Sequence, residues 1–232
     1  MRLAFLAVLL LETTALAAEP VGGGPAGEGA ARAAIARPAI PPLVVTLSDP
    51  SAGVRETSAR ALGTMGPLAR PAIPALLAAM RDPDGYVRSS AARALVNVGA
   101  DSVPGLAGLL RDPDPRVRYL AVEALRALAP DSVSAVPALA AALCDPSADV
   151  REAAAKALGR FGPEARRAIP ALARAVEDRD GYVRATAIRA MVRMGPDAMP
   201  ALAGLLASPS PEVRRLAAEA IRFLQQDANA GP

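Results

Sequence analysis

The sequence has no histidine and no tryptophan, a single cysteine, and an aromatic content of only 3%. Each shortage excludes something. Without histidine, no Ser-His-Asp or Cys-His arrangement is available for nucleophilic catalysis. Metal-ligand spacing and a phosphate-cradling glycine loop are missing as well. One cysteine, Cys144, cannot form an internal disulfide. It is expected to be a small, half-buried filler, with an intermolecular link as the alternative reading. Three tyrosines and three phenylalanines are too few to stack the bases of a single strand, so nucleic acid is a poor candidate partner. Past residue 17 no apolar run reaches the ~20 residues that a membrane helix needs.

What the chain does have is alanine, leucine and proline in a fixed rhythm. Hydrophobic residues make up 52%, mostly small or straight-chain types that suit close helix packing. An Asp-Pro-like turn followed by Val-Arg occurs six times: Asp49 to Val54-Arg55, Asp82 to Val87-Arg88, Asp112 to Val117-Arg118, Asp145 to Val150-Arg151, Asp178 to Val183-Arg184, and Ser208 to Val213-Arg214. An apolar-Pro pair precedes each: Ile40-Pro41, Ile73-Pro74, Val103-Pro104, Val136-Pro137, Ile169-Pro170 and Met199-Pro200. The steps are about 33, 30, 33, 33 and 30 residues, a period that signals a stacked repeat array. A shift of about 96 residues superimposes 38–133 on 134–229, so a three-unit block is duplicated. The pair Tyr86 and Tyr182 is related by that shift.

Within a unit, the apolar-Pro motif opens a first helix, since proline is tolerated in a first turn. The Asp-Pro turn closes it. A second helix follows, with Val87, Ala91, Ala94, Leu95 and Val98 on one stripe. Gly66, Gly99, Gly162 and Gly195 stand where a helix C-terminus wants a left-handed residue.

The N-terminus reads differently. Met1-Arg2, the apolar Leu3–Leu11 and Ala15-Leu16-Ala17 have the form of a signal peptide over 1–17, with retention as an anchor the alternative. The chain is therefore expected to be exported, periplasmic or secreted, with no membrane span after cleavage. Residues 18–37 read as a flexible tether ending in a short cap, 38–226 as six repeats, and 227–232 as a disordered tail.

The pattern apolar-Pro-x-Leu, Asp-Pro-x-x-x-Val-Arg, x-x-Ala-x-x-Ala-Leu-Gly resembles HEAT repeats, in particular the short HEAT-like units of phycobilisome lyases. Ankyrin repeats share the period, but their Thr-Pro-Leu-His signature is absent. The large spaced aromatics of tetratricopeptide repeats are also missing. The resemblance implies an all-α, right-handed α-solenoid of six helix pairs, with the second helices lining a concave face. It also implies a structural ladder between units built from Asp49, Arg55, Asp82, Arg88, Asp112, Arg118, Asp145, Arg151, Asp178 and Arg184, with Asp82 paired to Arg88 or to a neighbouring unit's arginine. Some proteins of similar repeat are hydroxylases holding iron through His-Glu motifs, a site that a chain without histidine cannot assemble. No cofactor is expected.

The second helices carry further charge. Six residues beyond the Val stand Arg60, Arg93, Glu123, Lys156, Arg189 and Glu219, and three to four residues later Thr64, Asn97, Arg126, Arg160, Arg193 and Arg222. Arg215, Glu56 and Glu152 share that face. Acidic residues gather in the turns instead, so a basic face opposite acidic turns favours an acidic partner. Arg214 has Ser208 in place of a ladder aspartate and is the freest of the six Val-Arg arginines. Together with Tyr86 and Tyr182, the residues Arg60, Arg93, Lys156, Arg160, Arg189, Arg193, Arg214 and Arg222 form the candidate partner-binding set. The expectation is a non-catalytic scaffold for another protein with an acidic surface. The alternative is a chaperone or lyase-like accessory that holds a substrate protein or a small chromophore. The sequence sets no oligomeric state.

Overall fold

The computed structural model describes residues 37–230. The stretches expected to be a signal peptide, 1–17, and a tether, from 18, lie outside the described residues. Twelve α-helices occur among those described, and no strand. They alternate in type. The odd-numbered helices are seven residues each: α1 (Ile40–Thr46), α3 (Ile73–Ala79), α5 (Val103–Leu109), α7 (Val136–Ala142), α9 (Ile169–Ala175) and α11 (Met199–Leu205). The even-numbered helices are longer: α2 (Ala52–Thr64), α4 (Gly85–Val98), α6 (Pro115–Ala127), α8 (Ala148–Phe161), α10 (Gly181–Arg193) and α12 (Pro211–Ala230).

Each boundary has a local cause. The odd helices open on an apolar-Pro pair, and all but α9, which has Arg179 at that place, end one turn before a proline, which pushes its predecessor out of helical space. The even helices open on an extended residue. Asp84 accepts from the backbone N–H of Tyr86 (2.8 Å) and Val87 (3.1 Å). Asp180 does the same for Tyr182 and Val183, and Asp114 accepts from Arg116 N. These caps satisfy donors that a helix start leaves free and place negative charge at the positive end of its dipole. Four even helices stop at a glycine in the left-handed region, with φ of 57° at Gly66, 95° at Gly99, 58° at Gly162 and 74° at Gly195.

Short 3-10 segments, such as Gly66–Ala72 and Gly162–Ala168, precede the odd helices. The last helix runs into the expected tail, of which 231–232 lie outside the described residues. The stretch 227–232 is expected to be disordered, yet α12 continues to Ala230. Nothing between Gln225 and Ala230 breaks a helix, and the stop signals, Gly231 and Pro232, come only afterwards.

The chain divides into two compact units, Met1–Gly105 and Leu106–Pro232. In the first, α2 and α4 pack side by side, α1 lies against α2, and α3 against α4. Leu43, Leu62, Leu76 and Leu95 are its fully buried leucines. In the second, α6, α8, α10 and α12 pack in succession, and α7, α9 and α11 each lie against the helix that follows. Leu125, Leu139, Leu158, Leu172 and Met191 form that core. The leucine of every apolar-Pro-x-Leu motif is buried, which explains why the motif recurs. The fold is an α-solenoid of helix pairs.

Candidate partner-binding surface and the arginine–aspartate ladder

The recurring Val-Arg arginines do two jobs with one guanidinium. Nη1 of Arg151 donates to the carbonyls of Asp145 (2.8 Å) and Pro146 (3.1 Å), closing its own turn. Nε and Nη2 donate to the Asp178 carboxylate of the next repeat at 2.7 and 2.9 Å. Asp178 Oδ1 also accepts from the Asp180 N–H (2.8 Å), so the carboxylate shapes its own turn while it joins two repeats. Arg118 binds Asp145 in the same way, and in the first unit Arg55 binds Asp82. The planar guanidinium matches the carboxylate with two parallel bonds.

Both Arg88 and Arg184 tie down their own turns, to Asp82 O and Asp178 O. Asp82 therefore receives the side chain of Arg55, and Arg88 only meets its carbonyl. Asp112 is buried and accepts from Asp114 N. At Asp49 the carboxylate accepts from Ser51 N and the carbonyl from Arg55.

Charge follows geometry. Hydrogen bonding from Arg55 holds the Asp82 carboxyl below the usual range, against burial. For Asp145 and Asp178 burial is the largest influence and pushes upward. The bonds from Arg118 and Arg151, with those from the backbone, outweigh it, and both carboxyls end lowered. The two-bond fork is not made everywhere: Arg88 Nε is buried without a partner among the described residues, and the last repeat changes the carboxylate. Ser208 replaces the aspartate, and Arg184 reaches Glu212 instead, through Nη2 alone (2.7 Å). Its Nε is left buried without a partner among the described residues.

The candidate contact residues sit on the even helices and are all exposed. In the first unit these are Arg60, Arg93 and Tyr86; in the second, Lys156, Arg160, Arg189, Arg193, Arg214, Arg222 and Tyr182. Both tyrosines are 75% exposed at the first turn of their helices. Several charges are already engaged. Lys156 pairs with Glu152 at 2.9 Å, and Arg189 donates to Ala185 O and to Thr186 Oγ1. Arg214 donates to the carbonyls of Ser208 and Pro209. Arg60, Arg93, Arg160, Arg193 and Arg222 have no described carboxylate within 4.0 Å. The turn acids Asp84, Asp114 and Asp180 turn out to be helix caps.

The sequence reading missed Phe223, which is 56% exposed and lies ten residues beyond Val213, as Arg193 lies ten beyond Val183. Counting that register would have found it. Cys144 corrects another expectation. It is exposed, not half-buried. It borders a shallow cavity of about 440 Å³ with Arg174 and Arg179 in the second unit. Among the described residues no group of three His, Cys, Asp or Glu side chains is placed to hold a metal. No described helix is long and apolar enough to cross a membrane.

The profile of HEAT repeats matches residues 28–96, 73–143, 103–191 and 168–230. The chain belongs to the HEAT repeat family. No match is found among curated proteins. Among solved structures, the HEAT chain is similar to the complex of CpcE and CpcF of phycocyanin lyase from Nostoc sp., at 29% identity and TM-score 0.50, covering 75% of this chain and 73% of that one. An engineered protein matches at 24% identity and TM-score 0.54, covering 81% of this chain and 96% of the other. Computationally designed armadillo repeat proteins for modular peptide recognition match at 20% identity and TM-score 0.50, over 79% and 98%. The last two likenesses bear on fold alone.

Proposed function

We propose that this HEAT chain is a non-catalytic scaffold that binds a partner protein with an acidic surface through the exposed face of its even-numbered helices. The carrying observation is the set of exposed arginines with no described carboxylate within 4.0 Å: Arg60 and Arg93 in the first unit, Arg160, Arg193 and Arg222 in the second. The helices that carry these guanidinium groups are anchored by a buried core, so their backbone needs no ordering on binding and more of the interaction energy becomes affinity. Lys156, Arg189 and Arg214 extend the positive field. The exposed Tyr86 and Tyr182 add the residue type favoured at interface centres. The signal-peptide pattern over 1–17 supports a place outside the cytoplasm, and the scarcity of aromatics argues against nucleic acid.

The test is capture from envelope extract with the wild-type chain and an Arg93→Glu/Arg189→Glu variant as baits, beside titration with poly-glutamate. The variant is expected to recover less partner and to bind the polymer more weakly while unfolding at the same temperature. Equal capture by both baits removes the basic face from the reading.

A second reading has one observation in its favour, the likeness to the phycocyanin lyase complex at 29% identity. On that reading the chain holds a substrate protein or a small chromophore. A coloured preparation, or a small molecule released on denaturation and seen by mass spectrometry, would select it.

A further inference from the structure

The first and last helix pairs carry opposite halves of the contact that joins repeats inside each unit. Within the second unit, an arginine fork meets the next repeat's aspartate at 2.6–2.8 Å for Arg118 and Asp145 and at 2.7–2.9 Å for Arg151 and Asp178. The last helix, α12, carries the same arginine, Arg214. Its Nη1 closes its own turn at Ser208 O (2.7 Å) and Pro209 O (2.9 Å), as in the other repeats. No described carboxylate lies within 4.0 Å of it.

Beside it, Leu206 is 43% exposed, whereas its counterparts in the same unit, Leu110, Leu143 and Val176, are 8%, 4% and 0% exposed. The interior residues are covered by a following repeat and Leu206 is not. At the other end, Asp49 has the turn geometry of a ladder aspartate. Its Oδ1 accepts from Ser51 N at 2.8 Å, as Asp145 Oδ1 accepts from Ser147 N at 2.9 Å. No described arginine or lysine reaches its carboxylate. Val54, next to it, is only partly covered, whereas its counterpart Val87 is fully buried.

We propose that this surface is occupied by a second copy of the chain, joined head to tail. The Leu206–Arg214 end of one copy stacks on the first helix pair of the next, and Arg214 donates its free fork to the partner copy's Asp49. Charge complementarity selects the occupant: the donor lacks a carboxylate, the acceptor lacks a guanidinium, and the interior pairs show that the two fit. The exposed Leu206 and the half-buried Val54 lie where stacking covers their counterparts. The two contacting surfaces differ, so the contact is heterologous and propagates as a ring or an open string.

The experiment is sedimentation velocity on the full chain between about 1 and about 100 µM, a range that reports micromolar association. Wild-type mass is expected to rise with concentration above 23.6 kDa. Asp49→Asn, which keeps an oxygen for the Ser51 N–H, should raise the dissociation constant about tenfold or more. Leu206→Glu, with its melting temperature measured beside that of wild type, should do the same. Arg93→Glu/Arg189→Glu should associate like wild type, which separates this contact from the basic-face reading. A chain that stays monomeric throughout, or association indifferent to Asp49→Asn or Leu206→Glu, overturns the proposal.

Discussion

At the scale of single residues, the ladder arginine shows why so few residue types recur so strictly. Arg151 has 7% of its side chain exposed, and its partner Asp178 has 11%. A charge so covered is tolerable only with its donors matched, and the pair has five bonds among guanidinium, carboxylate and two turns. Truncating one partner strands the other, so Asp178→Ala is expected to cost about 3 kcal/mol in chemical denaturation. The repeat that breaks the rule makes the converse prediction. Ser208 is buried, Arg184 holds Glu212 by one bond, and its Nε has no described partner. Ser208→Asp restores the carboxylate that Arg118 and Arg151 each have. It should raise stability by about 1–2 kcal/mol, because it adds charge-assisted bonds to a donor already removed from water. An unchanged urea midpoint would mean that Glu212 and solvent already satisfy Arg184.

At the scale of helices, packing is set by one large residue inward and one small residue sideways. Leu95 and Leu158 are fully buried on equivalent faces of α4 and α8. Replacing either by alanine should cost about 2–5 kcal/mol, and a cost near zero would mean the stripe is misplaced. Sideways, a Cβ on Gly63 would lie 3.1 Å from Ala94 Cα, and one on Gly159 would lie 3.0 Å from Ala190 Cα. The same crossing is therefore built in both units, and backbone cannot yield as a side-chain tip can. Gly204 in α11 has nothing within 4 Å of such a Cβ. Gly204→Ala should stabilise by about 0.5–1 kcal/mol through helix propensity. Gly159→Ala should lose about 1 kcal/mol net, since overpacking exceeds that gain. The helix pairs were legible in the sequence because Pro, Asp and Gly mark their ends and buried leucines mark their faces. The 3-10 segments were not, because Pro67 and Pro71 fit a helix start as well as a tight turn. Nor was the choice of Arg55 over Arg88 for Asp82, which depends on where two separate helices bring their side chains. The exposed arginines could be placed on the even helices by register alone. Which of them pair, as Lys156 does with Glu152, depends on rotamers that the pattern does not encode.

At the scale of the whole chain, the titration of stability follows from what is absent and what is paired. There is no histidine to change charge near neutrality, so stability should be nearly flat between about pH 5 and 8. The ladder carboxyls Asp82, Asp145 and Asp178 are all held below their ordinary value. A carboxyl lowered by folding adds stability that is fully present above its unfolded pKa, about 3.9. That stability disappears as the pH falls through the lower folded value, because protonation is then easier in the unfolded chain. Urea unfolding should therefore show midpoints that hold down to about pH 5 and fall steeply below about pH 4. The second unit contains two of these pairs and the first contains one, so hydrogen exchange should show the larger acid loss in the second. Asp178→Asn isolates the cause. It should be less stable than the parent at neutral pH, and the gap should narrow as acid protonates Asp178 in the parent. A gap that is as wide at about pH 3 as at pH 7 would show that Asp178 contributes through shape rather than charge.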